Sequence, residues 1–243
     1  MNTARLSAVI LGISVMLFAA TLFAEDSVIA LAGLEGNVLV KIAPSTKWAN
    51  AAVDQKLKAK DAIKTGDDGK VLLEFSDKSS VALKKNTEVT IKDLVWTDAT
   101  RKADLNMTIG DLRAVINKAG SPSQFKVRTP TAICEARGTV FYLIVTGTET
   151  RVFVTEGAVN FSNAAGGNTY VVVQNMTAVS NLSGTVSEPR ELTGAEKEQA
   201  LAGWDGVITE PYSAPEVQVG NEAFNDDSQV TPENPGEKPA SQI

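Results

Sequence analysis

Residues 134–161 read CEARGTVFYLIVTGTETRVFVTEGAVNF. Two runs rich in β-branched and aromatic residues, TVFYLIV and RVFVT, stand between sharp glycine turns, RGT at Gly138 and TEG at Gly157, with Gly147 between the runs. Such residues suit a pleated, half-buried surface, and a short Gly-containing connection joins antiparallel neighbours. The stretch predicts a hairpin with its tip near Gly147. The outer glycines then turn the chain sharply so that it continues into the next layer, at backbone angles that glycine tolerates.

The same grammar extends from about Val28 to Val186. NVLVKI, KVLLEF, SVALK, EVTIKDL, DLRAVI, FKVRT, TVFYLIV, RVFVT, AVNF and YVVV follow one another, bounded by Gly, Asp, Asn or Ser. About ten short strands with no helix between them predict an all-β body. A loose repeat runs through them, a glycine followed two residues later by an apolar residue that opens a strand, at Gly36, Gly69, Gly110, Gly138, Gly157 and Gly184. Its spacing is too uneven for a strict solenoid. Gly36, Gly66, Gly69, Gly110, Gly138 and Gly157 are expected to be structural turns or bulges, with positive φ as their reason. One segment resists the pattern: WANAAVDQKLKAKDAI, Trp48 to Ile63, has helix formers but an incomplete apolar stripe, and reads as a short helix or an exposed loop.

Both ends differ from the body. Residues 1–24 carry one base, Arg5, no acid and a long apolar run ending in Ala24 before Glu25, the build of a signal peptide cut at Ala24–Glu25. The run from Leu6 to Ala24 is also just long enough for an uncleaved anchor. Either form exports the body, and without a cysteine after the run a lipid anchor is excluded. At the other end, TGAEKEQALAGW places Thr193 and Glu196 in capping-box spacing and ends at Gly203, so 188–204 is expected to hold a short helix. Residues 205–243 mix five prolines with acids, Asn and Ser, and are expected to form a disordered acidic tail. The domain plan is 1–24 signal peptide, 25–187 β-domain, 188–204 helix and 205–243 tail.

Composition removes several chemistries. The chain has no histidine and one cysteine, Cys134, so an intrachain disulfide, a His or multi-Cys zinc site and a Ser-His-Asp or Cys-His catalytic group are all excluded. An exported chain without disulfides fits a Gram-negative periplasm. Glu25–Ser187 holds 19 basic and 17 acidic residues, whereas Glu188–Ile243 holds 3 and 12. A near-neutral body with an acidic tail is not the charge pattern of a nucleic-acid binder.

The ordered motifs resemble the FecR-like periplasmic domain family over about Gly33 to Asn163. LKAKDAIKTGDDGKVLLEFSDKSSVALKKNTEVTI looks like that family's L..GD.I.TG..G.A.L...DGS.V.L...S.V.I. TIGDLRAVI looks like its L..G.L...V, and FKVRTPTAICEARGTVFYLIV with TRVFVTEGAVNF like its F.V.TP.A...VRGT.F.V and T.V.V.EG.V.V. Lys60-Asp61 stands where the family has GD, and Asp77-Lys78-Ser79 where it has DGS, so two turns lack a glycine. Cys134 stands where a small apolar residue is usual. The resemblance implies a loop and then a strand across 48–63, and an irregular β-solenoid or β-sandwich body. It also implies a non-catalytic exported domain that contacts an envelope or outer-membrane protein. Known members sense an outer-membrane transporter and act on a sigma factor. The five residues ahead of the apolar run leave no sigma-binding element here, and no receptor-docking domain follows the body, so a complete regulator is not expected.

Candidate sites have plainer readings. Glu135, Arg137 and Glu156 flank the glycine turns, and a solvent-face charge ladder is expected rather than acid-base work. Cys134 is read as a buried small hydrophobe. GDDG at 66–69 with Asp77 invites calcium but lacks the ligand ladder of a binding loop, and reads as hairpin chemistry. Trp48, Trp96 and Trp204 are expected to pack rather than to form a carbohydrate platform. No catalytic, metal or cofactor site is expected, and no cofactor. The reading is an interaction or envelope scaffold module; the alternatives are a periplasmic sensory component that relays a ligand or receptor state to a membrane signalling partner and, less favoured, an envelope hydrolase. No nucleic acid is expected, and membrane contact only through an uncleaved N-terminal segment.

Overall fold

Period-two burial runs unbroken through Lys70–Phe75, Ala132–Ala136 and Ala158–Asn163. A computed structural model describes residues 29–97, 100–118 and 123–204. The expected signal peptide and acidic tail lie outside the described residues. In chain order the strands are β1 (Ile29–Glu35), β2 (Val38–Lys41), β3 (Ala49–Asn50), β4 (Lys56–Leu57), β5 (Ala62–Thr65), β6 (Lys70–Phe75), β7 (Ser80–Leu83), β8 (Glu88–Trp96) and β9 (Arg101–Ile116). There follow β10 (Ser123–Arg128), β11 (Ala132–Ala136), β12 (Thr139–Val145), β13 (Glu149–Glu156), β14 (Ala158–Asn163), β15 (Thr169–Val173), β16 (Met176–Asn181) and β17 (Arg190–Glu191), and then helix α1 (Gly194–Leu201).

These strands form two sheets. Sheet A runs β4-β1-β6-β7-β9-β12-β13-β16-β17. Sheet B runs β3-β2-β5-β8-β9-β10-β11-β14-β15. Strand β9 belongs to both: up to Ile109 it pairs with β8 and β10 in sheet B, and from Gly110 it pairs with β7 and β12 in sheet A. All pairs are antiparallel except β9–β10, because the sheet-A half of β9 itself serves as the crossover that a parallel partner needs. Neither sheet closes into a barrel.

The inner faces meet in a single apolar core. Leu31, Leu73, Leu112, Leu143 and Val152 of sheet A pack in one cluster with Val40, Ile91, Leu105, Val127 and Phe161 of sheet B. Phe125 of sheet B lies edge-on between Phe75 and Phe141 of sheet A, with ring centroids 6.0 and 6.3 Å away. This is a β-sandwich, with seventeen strands among the described residues where the sequence pattern registers about ten. The unregistered ones are short, such as β3, β4 and β17, or carry small residues, such as AICEA in β11. Residues 48–63 form a loop with the two-residue strands β3 and β4 and then enter β5. Helix formers there are overridden by pairing: Leu57 is buried opposite Ile29.

One end of the sandwich is closed by a buried polar group from Thr129-Pro130-Thr131-Ala132. The Thr129 and Thr131 hydroxyls lie 2.7 and 2.8 Å from the Thr150 hydroxyl of β13, and Ser180 of β16 donates to the Thr131 carbonyl at 2.6 Å. Asn163 of β14 donates to the Ser180 hydroxyl at 2.9 Å. Each group has a partner, as burial demands.

The outer face of sheet A has its own cover. Val115, Val140, Tyr142 and Phe153 point outward and form a second cluster with Ala200 of α1, beside Leu192 and Trp204. The Trp204 ring lies 5.8 Å from Tyr142, and Lys84 sits over it at 4.3 Å while donating to the Ala202 carbonyl at 2.6 Å. The helix starts with a full capping box: the Glu196 N–H donates to the Thr193 hydroxyl and the Thr193 N–H to the Glu196 carboxylate. Arg190 and, from β13, Arg151 also donate to that carboxylate, at 2.6 and 3.2 Å.

The hydrogen bond from Arg190 first, and then those from the Thr193 N–H and hydroxyl, hold the Glu196 carboxyl at about 2, below its ordinary 4.5. A depressed carboxyl stabilises the fold above its unfolded pKa, and that contribution is lost as pH falls from about 4.5 towards 2. The indole N–H resonance of Trp204 should therefore hold steady from pH 7 to 5 and move towards the free indole position below 4.5. Glu196→Gln keeps the capping-box acceptor but loses the charge paired with Arg190 and Arg151, and should cost about 0.5 kcal/mol at neutral pH. An unmoved resonance at pH 2 would contradict this role for Glu196.

Candidate interaction face

The sheet-changing corners set up everything the surface displays. The chain passes between sheets at Gly36, Asp54, Lys60, Asn86, Gly110, Gly138, Gly157 and Asn175, and each has positive φ. At the opening stretch, Gly138 leads from β11 in sheet B to β12 in sheet A, and Gly157 leads from β13 back to β14 in sheet B. The two corners touch: a Cβ on Gly157 would lie 2.7 Å from the Gly138 carbonyl oxygen. Thr139 ties them together by donating to the Ala158 carbonyl at 2.9 Å. Between them β12 and β13 pair as a hairpin, closed by the Thr146 N–H on the Glu149 carbonyl. Gly66 and Gly69 differ from the expected reason, since neither has positive φ. What they allow is close approach, a Cβ on Gly69 falling 2.2 Å from the Asn37 carbonyl oxygen.

Lysine occupies the two positions where the resemblance has glycine. Lys60 has φ 77° and Lys78 φ 68°. Beside Lys60, the Asp61 carboxylate accepts from the Ala43 and Lys58 N–H groups at 2.8 and 2.9 Å, stitching two loops to the corner.

The outer face of sheet B is where these corners deliver charge. Arg128 donates to both oxygens of Asp104, a carboxylate residue only 4% exposed, at 3.1 Å. Lys102 pairs with Asp93 at 3.0 Å, Lys64 with Glu88 at 3.9 Å, and Lys126 with Glu135. The acids of this ladder are thus matched across strands. Among the described residues neither Lys60 nor Lys92 forms an ion pair, and with Thr90, Ile91 and Asn106 they line an open depression of about 420 Å³. Lys92 stands at a bulge in β8, where the register shifts between Ile91 and Asp93; a bulge re-aims a side chain.

The other candidates are dispersed. Glu135 faces Asn160 in sheet B, whereas Glu156 faces Val140 in sheet A, and the Arg137 carbonyl accepts from Thr139. Cys134 is fully buried between the sheets, and burial first, then Glu135, pushes its thiol up. Asp68 accepts the Asn37 N–H and Asp77 the Ser79 N–H, both as turn contacts. Trp96 stacks on Phe75 and Trp48 lies under Lys41, each on a different element from Trp204. Sequence reasoning missed the Asp104–Arg128 pair and the Lys60–Lys92 depression. Only strand register, which sequence does not state, brings those residues together.

Residues 61–160 match the family model described as FecR protein. No curated protein matches the chain. Among solved structures it is similar to two crystal structures of "a putative anti-sigma factor from Parabacteroides distasonis", at 16% identity and TM-score 0.44, with 54% of this chain and 59% of that chain covered. The chain therefore spans less than two thirds of the length of those proteins.

The corners give a direct test. Gly157→Val should cost about 1–3 kcal/mol in urea or thermal melts, through positive φ and the clash with Gly138. Gly147→Ala, with open space around it, should stay within about 0.5 kcal/mol. Lys60→Gly should raise stability, by up to about 1 kcal/mol, because an L-residue in the left-handed region is strained. A destabilised Lys60→Gly, or an unaffected Gly157→Val, would contradict the assignment.

Proposed function

We propose that this chain is an exported, non-catalytic module that binds a partner protein in the cell envelope through the outer face of sheet B. The observation that carries the reading is an asymmetry of cover. The chain's own helix and Trp204 cover the β9–β12–β13 part of the outer face of sheet A, while among the described residues sheet B presents a matched ion-pair ladder and the Lys60–Lys92 depression without such a cover. Preorganised charge on a rigid sheet suits electrostatic selection of a partner surface rather than turnover. The FecR match supports a signalling-related, non-enzymatic role. Export rests on the make-up of residues 1–24; among the described residues no helix is long and apolar enough to cross a membrane.

The six turn glycines are architectural in this account and take no direct part in binding. A photo-crosslinker at Asn106, on sheet B, should capture an envelope protein in cells, whereas one at Leu201, on the helix, should not. Lys60→Glu with Lys92→Glu should cut the captured yield about tenfold. A structural envelope protein as the captured partner supports a scaffold, and a receptor or membrane regulator supports a sensory relay. Equal capture from both positions, or none, would sink the proposal.

A further inference from the structure

The four terminal strands of the two sheets are unequal. Sheet A ends in β4 and β17, and sheet B begins with β3, each only two residues long. Strands this short, or charged like Arg190–Glu191, blunt an edge against further pairing. The fourth, β15, is different: five residues, Thr169–Val173, paired on one side with β14 along its whole length. Among the described residues β14 is the only strand in register with it, and β16, which follows it, pairs instead with β13 and β17. Val172 enters the core, while Val171 and Val173 point outward and are 57% and 41% exposed.

From these observations we infer that β15 is a self-pairing edge, on which a second copy of this chain docks its own β15 antiparallel. Charge selects this occupant. From Ala164 to Asn175 the chain carries no charged residue, so the edge offers nothing to match a charged strand, whereas two copies meet without like-charge repulsion. The sequence is also complementary to itself in a two-fold register centred on Val171. Val171 then faces its own mate and Thr169 faces Val173 twice, one apolar row on the outer surface, while Tyr170 faces Val172 on the inner side. A two-fold contact of this kind is closed and stops at two copies. The two B sheets become one continuous sheet, and the lysine depressions of both copies lie on it. This inference does not depend on the partner proposed above.

The test is the association state of the full chain, with its N-terminus as the cell leaves it. Sedimentation should show a monomer–dimer equilibrium within about 1 µM to 1 mM, since one strand pair is a small contact. Val171→Lys should abolish the dimer while leaving the melting curve unchanged at concentrations where the wild type is monomeric, because that side chain leaves the core untouched. Val171→Cys should form a covalent dimer with copper phenanthroline as oxidant, at least tenfold faster than Val53→Cys, an equally exposed position in the β3–β4 turn; the native Cys134 is buried. Three outcomes would overturn the inference. One is a monomer at every concentration, which leaves the edge to a foreign strand. Another is a dimer that survives Val171→Lys, and the third is equal crosslinking at positions 171 and 53.

Discussion

A chain that feeds two facing sheets in alternation must reverse at the border between them, and at eight of the nine such corners among the described residues it does so with left-handed backbone, the β5–β6 corner at 66–69 being the exception. The corners are set by geometry before chemistry: the strand axis must swing through the thickness of the core within one or two residues. Glycine meets this without strain, and Asn is the next most tolerant residue. Where the corner at Gly157 rests on the carbonyl of Gly138, even a methyl group has no room. Gly110 is the strictest case, since a Cβ there would fall 2.1 Å from the Thr87 hydroxyl oxygen. That hydroxyl accepts the Asp111 N–H at 3.0 Å and so fixes the point where β9 leaves one sheet for the other.

Polar groups do the work that a disulfide does in many small domains. Asp61 clamps two loops to one corner, Thr87 and Thr65 bind the β5 and β9 corners together, and the Thr129–Thr131–Thr150 group ties the β10–β11 turn to the opposite sheet. Buried hydroxyls that are fully partnered rigidify a fold, whereas the same groups left unpaired would each cost about 1–3 kcal/mol. Rigidity of this kind makes the outer face of sheet B a fixed display. Its cations are held at defined positions by strand register rather than by flexible loops.

Strand existence was legible where β-branched residues alternate over five or more positions, as in KVLLEF and RVFVT, and so were the capping box at Thr193 and the burial of Cys134. Opaque were the strands of two residues, whose pairing depends on distant partners, and the true size of β9, whose first half, ADLNM, has too weak an alternation to read. The series of glycines was visible, but its meaning was not uniform: Gly36, Gly110, Gly138 and Gly157 answer to φ, while Gly66 and Gly69 answer to the approach of Asn37. Lys60 and Lys78 show the converse, because a lysine at positive φ leaves no mark in composition and only the resemblance pointed to those turns. The interaction face was the least legible feature. Lys60, Lys92 and Asn106 are scattered in sequence, and only the β8–β9 register and the β4–β5 corner gather them.

The central claim is that β9 locks the two sheets into one cooperative body by serving as a strand of both. Native-state amide hydrogen exchange along β9 tests it most directly. The account predicts that slowly exchanging amides on either side of Gly110, such as Leu105 and Met107 in sheet B and Leu112 and Ala114 in sheet A, open with one common free energy equal to that of global unfolding. Two well-separated opening energies, with Gly110 at the boundary, would show that the sheets unfold independently and would contradict it.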